Sequence, residues 1–303
     1  MKTTYSYNYG LWALAVGAAV LLPLGTSHGQ GSGMPATFSF KSDAIRAESA
    51  GNWAEAVRIH RLHAQAEPLR SDIWLRIADI ESRTGNTNEM LAATTRAAET
   101  HPEDAKLWRR LSQAYSVAGK PVEALAAMDK AVALKPNDKE MLQGRAQLAN
   151  WLGRSDVAAD SHERILVLTP DDIEARLALA RALSWMGKLD KSVRSYERYL
   201  EAKPADKAAV LELARVQSWR GNFPEALKVL ARYKDQGGDE ATYLRERAKV
   251  FAAAERPATA LRMIDPMLKN KPDDYEIQFS AAVAHNYNHE PAKALADIQT
   301  LQK

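Results

Sequence analysis

Cysteine is absent from all 303 residues. That excludes disulfide staples, thiol nucleophiles and the lipid-modified cysteine of a bacterial lipoprotein. A large charge of one sign is also missing. The net charge of +3 lacks the concentrated positive field of non-specific nucleic-acid binding, so no nucleic-acid partner is expected. No apolar run is long enough to cross a bilayer comfortably, which takes ~20 residues as a helix. The longest, Leu11 to Leu24, has 14. Glycine-rich phosphate loops and the His-Glu-x-x-His pattern are absent too. His60 with His63, and His285 with His289, are too few for a metal site without a further ligand. The carboxylate pairs Asp171-Asp172 and Asp273-Asp274 precede helices, where acidic side chains complement the dipole. No catalytic residue, metal or cofactor is therefore expected, and the reading is not that of an enzyme. Aromatics make up only 7% of the chain, so any that recur in register have a core to fill or a surface to build.

The short apolar run follows Lys2 and is followed by Ser27-His28-Gly29. This is the plan of a secretory signal, with cleavage expected before Gln30. Residues 1–29 are read as the signal and 30–36 as a flexible lead-in, leaving no stable transmembrane segment after cleavage. The expected location is the periplasm, in association with the outer membrane through a partner or a further C-terminal region.

Beyond that point the sequence repeats itself. Prolines fall at Pro68, Pro102, Pro136, Pro170, Pro204 and Pro272, a 34-residue column with Gly238 in the missing place. Gly51, Gly85, Gly119, Gly153, Gly187 and Gly221 form a second column, continued by Glu255 and His289. A third is small or apolar: Ala56, Met90, Ala124, Ala158, Ser192, Ala226, Ala260 and Ala294. Apolar residues recur at helical spacing within each unit, so each predicts two amphipathic helices. In the fifth, Leu179, Ala180 and Leu183 mark one inward face, and Val193, Tyr196 and Leu200 the other. The glycine column suits the turn between helices. Pro121, Pro224, Pro257 and Pro291 suit the first turn of a second helix. One unit alone leaves a hydrophobic face wet, so the units must stack.

The third unit reads Trp108-x-x-Leu111-Ser112-x-x-Tyr115, then Gly119, Ala124, Met128, Ala131 and Pro136. It resembles the tetratricopeptide repeat. The resemblance implies an all-α, right-handed superhelical solenoid of about eight helix-turn-helix units over residues 37–303. The units start at Thr37, Ser71, Ala105, Lys139, Ile173, Lys207, Ala241 and Tyr275. Gly237-Gly238 in place of the proline, and Pro266 inside a helix, predict a bend or hinge around residues 236–270. Solenoids need polar end caps; none is evident before Lys303, so the expectation is either a neighbour covering that end or a chain that is the first part of something longer.

In tetratricopeptide proteins the first helix of each unit lines the concave side. In that frame Gln147, Arg181, Arg215 and Lys249 form a ladder. Asn150-Trp151, Ser184-Trp185 and Ser218-Trp219 follow the first three rungs, on the same helix face. An indole there either packs between neighbouring units or faces the groove. The arginines either meet a ligand or pair with acidic neighbours. If exposed, indole faces stack on sugar rings, while arginine, asparagine and serine reach hydroxyls or carboxylates. The same groups also suit a peptide, whose carboxylate arginine grips bidentately.

The Trp-x-Gly…small motif recurs as Trp151-x-Gly153…Ala158, Trp185-x-Gly187…Ser192 and Trp219-x-Gly221…Ala226. Behind a signal, it resembles the periplasmic repeat regions of bacterial exopolysaccharide export proteins. These are the cellulose synthase operon protein C and poly-N-acetylglucosamine export porin families. The resemblance implies a scaffold for exopolysaccharide (biofilm or cellulose) synthesis and secretion. Its partners would be other envelope proteins of a secretion or assembly complex, the polysaccharide, or both. Members usually continue into an outer-membrane β-barrel, and no stretch here alternates like a barrel strand. The other class kept open is an envelope protein–protein adaptor for pilus, secretion or cytochrome assembly.

Overall fold

A run of paired helices, each pair a copy of the last, makes up the computed structural model, which describes residues 39–300. The expected signal and lead-in lie outside the described residues. The pairs are α1 (Phe40–Ser49) with α2 (Trp53–Ala66), α3 (Ser71–Arg83) with α4 (Thr87–Thr100), α5 (Ala105–Val117) with α6 (Pro121–Leu134), and α7 (Lys139–Trp151) with α8 (Ser155–Leu168). They continue as α9 (Ile173–Trp185) with α10 (Leu189–Ala202), α11 (Lys207–Trp219) with α12 (Phe223–Asp235), α13 (Glu240–Ala253) with α14 (Pro257–Asn270), and α15 (Tyr275–Tyr287) with α16 (Pro291–Thr300). No strand occurs among the described residues. Each helix packs on its neighbours in sequence, and α13 also touches α11 and α15 directly. The result is a superhelical solenoid.

Local chemistry sets the boundaries of each unit. Asp104, Asp138, Asp172, Asp206 and Asp274 cap first helices, their carboxylates accepting backbone N–H groups of the first turn. The pairs at 171–172 and 273–274 thus supply structural caps. Asp172 also meets the Lys139 ammonium at 2.8 Å. After α9 the chain reverses at Gly187, φ 70°. The Gly187 N–H donates to the Ser184 carbonyl at 3.0 Å and that of Lys188 to Leu183 at 2.9 Å, the paired closure that a left-handed residue allows. Glu255 and His289 make the same turn at φ 58° and 59°, at a cost of about 1 kcal/mol each for a residue with a Cβ.

The small column lies at the helix crossings: Ala56, Ala124, Ala158, Ser192, Ala226 and Ala260 have no exposed surface. Ser192 satisfies its hydroxyl there by donating to the Ala180 carbonyl at 2.7 Å. In the fifth unit all six expected core residues are buried.

Two irregularities mark the stretch 236–270 where a bend or hinge is expected. α14 runs unbroken through Pro266, which is exposed. Proline removes one hydrogen bond there, while Ile264, Met263, Met267 and Leu268 keep the opposite side in the core. At Gly238 the chain passes so near the Tyr233 ring that an added Cβ would stand 2.3 Å from it. Glycine takes the proline column's place because nothing larger fits against that ring. The next cap, Asp239, falls one residue early, and α13 begins at Glu240.

Candidate functional site: an aromatic groove along the first helices

The question posed by Trp151, Trp185 and Trp219 has a direct answer: they are 63%, 79% and 60% exposed. Each ends a first helix, at α7, α9 and α11. They border three hollows. The first, about 480 Å³, lies along α5 and α7 and includes Gln147 and Trp151. The second, about 430 Å³, joins Asn150 to Arg181 and Trp185. The third, about 680 Å³, brings Trp185, Arg215, Ser218, Trp219 and Lys249 together. Trp185 lines both the second and the third. These volumes are in the range of ligand sites, ~300–1,000 Å³. Ser184 is not among the lining residues: its hydroxyl donates back to the Arg181 carbonyl at 2.7 Å.

The cationic ladder is internally paired. Arg181 donates Nε and an Nη to Glu212, both at 2.9 Å. Arg215 grips Glu246 in the same way at 3.0 and 2.9 Å. Lys249 reaches Glu246 at 3.2 Å and Glu276 at 4.0 Å. Glu246 is only 4% exposed. Burial pushes its carboxyl up, but Arg215 and Lys249 outweigh burial and hold it below the usual glutamate value. Their hydrogen-bonded glutamates raise both Arg181 and Arg215 above the ordinary arginine value. The buried Tyr196 of α10 donates its hydroxyl to Glu212 at 3.0 Å. Burial, and then the Glu212 charge, push that phenol well above its ordinary range.

These glutamates escape a reading of the ladder alone, although the signal is in the sequence. Each pair is separated by 31 residues. One repeat less one helical turn lands on the facing side of the next first helix. Arg109 and Glu140 follow the same rule at 2.7 Å. Also missed are Tyr275 and Phe279, which stack with ring centres 6.4 Å apart. With Tyr287 they extend the aromatic wall of the third hollow onto α15.

Three of the four histidines that fall in sequence pairs have carboxylate partners. His60 meets Glu48 at 2.8 Å and His63 meets Glu67 at 2.9 Å. His285 meets Asp297 at 2.7 Å, and His289 lies in the turn beyond α15. No group of three or more metal-ligating side chains occurs among the described residues. No helix among them is long and apolar enough to cross a membrane.

Two family models described as tetratricopeptide repeat match residues 191–250 and 173–206, the stretch carrying Arg181, Trp185, Arg215, Trp219 and Lys249. Residues 173–250 are thus tetratricopeptide repeats, and the helical pairs on either side continue the same frame. A third model, described as a bacterial transcriptional activator domain, matches residues 43–138 of the repeat protein. There the structure shows further helical pairs in the same frame. No curated protein matches the chain. Among solved structures, Naa15/Naa10 bound to HypK-THB aligns with TM-score 0.61 and 19% identity, over 87% of this chain and 41% of that one. The repeat protein thus spans about two fifths of that neighbour's length, and the likeness is one of fold. A tetratricopeptide-repeat protein from Parabacteroides merdae ATCC 43184 aligns with TM-score 0.43 and 18% identity, over 82% of this chain and 98% of that one. PilW, a type IV pilus biogenesis factor, aligns with TM-score 0.45 and 20% identity, over 69% and 96%.

Proposed function

We propose that this repeat protein is an exported binding scaffold that serves exopolysaccharide synthesis and secretion. It holds an extended ligand, a stretch of polymer or a partner's segment, along the first helices. The observation that carries this reading is the row of exposed indoles at Trp151, Trp185 and Trp219, one per unit. Large aromatics left in water at a fixed spacing are unusual for a folded surface and mark contact sites. A ligand repeating along its length meets the same group at each unit. The signal-like start and the Trp-x-Gly motif support the location and the process.

The test is gene replacement in the native host, with Trp151, Trp185 and Trp219 all changed to alanine. A variant that is exported and folded but no longer supports polymer export agrees with the proposal. Normal polymer export without the gene sinks it.

A further inference from the structure

The groove's charge chemistry narrows the ligand, given that the groove binds one. Four cations belong to the three hollows, and each has a carboxylate: Arg109 with Glu140, Arg181 with Glu212, Arg215 with Glu246, and Lys249 with Glu246 and Glu276. The row is balanced upstream as well, without charge. Gln113 and Gln147 occupy the rung positions in earlier units, and the positions 31 residues on are Gly144 and Ala178. Arg181 and Arg215 each have a glutamate 31 residues on, Lys249 shares Glu246 on its own helix, and the two glutamine rungs stand opposite Gly144 and Ala178.

We propose that the groove takes an uncharged polysaccharide, and that Glu212 and Glu246 are the specificity residues that exclude acidic chains. An anionic polymer would have to compete with bidentate carboxylates for Arg181 and Arg215, and with Glu140 for Arg109. It would also bring its own charge beside them, and like-charge juxtaposition strongly disfavours a wrong partner. A cationic chain meets the same balance in reverse. A neutral sugar chain displaces nothing. Its ring faces lie against the indoles. Its hydroxyls, donors and acceptors at once, fit ion pairs that offer both N–H groups and carboxylate lone pairs. A peptide is less well served. The groove is walled by helices and offers no strand edge for main-chain pairing, and a proline-rich segment brings acceptors without donors.

The proposal rests on the groove reading above, and the experiment separates the two. The full chain would be titrated calorimetrically with neutral β-glucan hexamers, oligogalacturonate, chitosan oligomers and a proline-rich peptide. The same titrations would be run on Trp219→Ala, Glu246→Gln and Glu212→Gln, each checked for helicity. Glu212→Gln, at the more exposed pair, is the variant to use if Glu246→Gln does not fold. The expected result is heat with the neutral chain only, lost in Trp219→Ala. Either glutamine variant should bind the neutral chain more weakly, for want of one carboxylate, and gain affinity for oligogalacturonate by about tenfold, the effect of uncovering one cation. Native binding of the acidic or cationic chain as tight as that of the neutral one overturns charge selection and leaves the groove standing. Heat with the peptide alone, lost in Trp219→Ala, overturns the carbohydrate assignment. Binding that ignores Trp219 in every titration overturns both proposals.

Discussion

Tryptophan has two places on the first helices of this solenoid, and they lie on opposite sides. Trp74 and Trp108 stand near the start of α3 and α5, half-buried. Their indole N–H groups donate to the carbonyls of Pro68 and Pro102, at 3.4 and 2.8 Å. Trp151, Trp185 and Trp219 end their helices and face water. In the repeat frame the two positions differ by nine residues, which at 3.6 residues per turn is half a revolution. One indole holds a unit to the proline turn before it, and the other leaves its ring face unspent. Residue type alone therefore says little here, whereas register says which job the residue has.

The sharpest way to break that comparison is a matched pair of truncations. Trp108→Ala is expected to cost about 3 kcal/mol in denaturant unfolding, through lost packing and a lost hydrogen bond. Trp185→Ala should stay within about 0.5 kcal/mol. Equal losses would mean that the exposed row is structural after all. A second pair divides the ladder. Arg215→Ala strands the buried Glu246 with only Lys249 and should cost about 2 kcal/mol. Arg181→Ala faces the more exposed Glu212, which keeps the Tyr196 hydroxyl, and should cost less than about 1 kcal/mol. If the order reverses in thermal melts, burial of the glutamate is not what sets the energy.

The turns give a smaller contrast between early and late units. Glu255→Gly should stabilise the protein by about 1 kcal/mol, because glycine adopts positive φ without the Cβ penalty. Gly187→Ala should cost about as much, and a melting shift in the same direction for both would contradict this account. The smallest effect concerns His162 on α8, whose ring nitrogens have no hydrogen-bond partner. Burial lowers its pKa below the ordinary 6.5, so the folded state holds it neutral. Its contribution is complete above 6.5 and falls as the pH drops below that value, where the unfolded chain binds the proton more readily. Stability measured from pH 7 to pH 5 should therefore fall less in His162→Gln than in the native chain.

Much of the fold was legible because the repeat writes each rule many times. The proline and glycine columns locate turns, the aspartates start helices, and the small column marks crossings. Each is a local constraint satisfied within a few residues. Pro266 shows the limit: local preference weakens the helix there, and packing of Ile264 and its neighbours accompanies a helix that continues through it. The candidate site was half legible. The rungs and indoles could be named from their spacing. Their exposure and pairing depend on what the next unit brings to the same place, as Glu246 does for Arg215.

The sequence by itself determined the period, the helical pairs and their caps and turns, because these depend on interactions within one unit. Only the tertiary structure decided that the indoles stay in water and that every groove cation is neutralised. Both outcomes are set between units, where residues 31 apart in the chain become neighbours across two stacked helices.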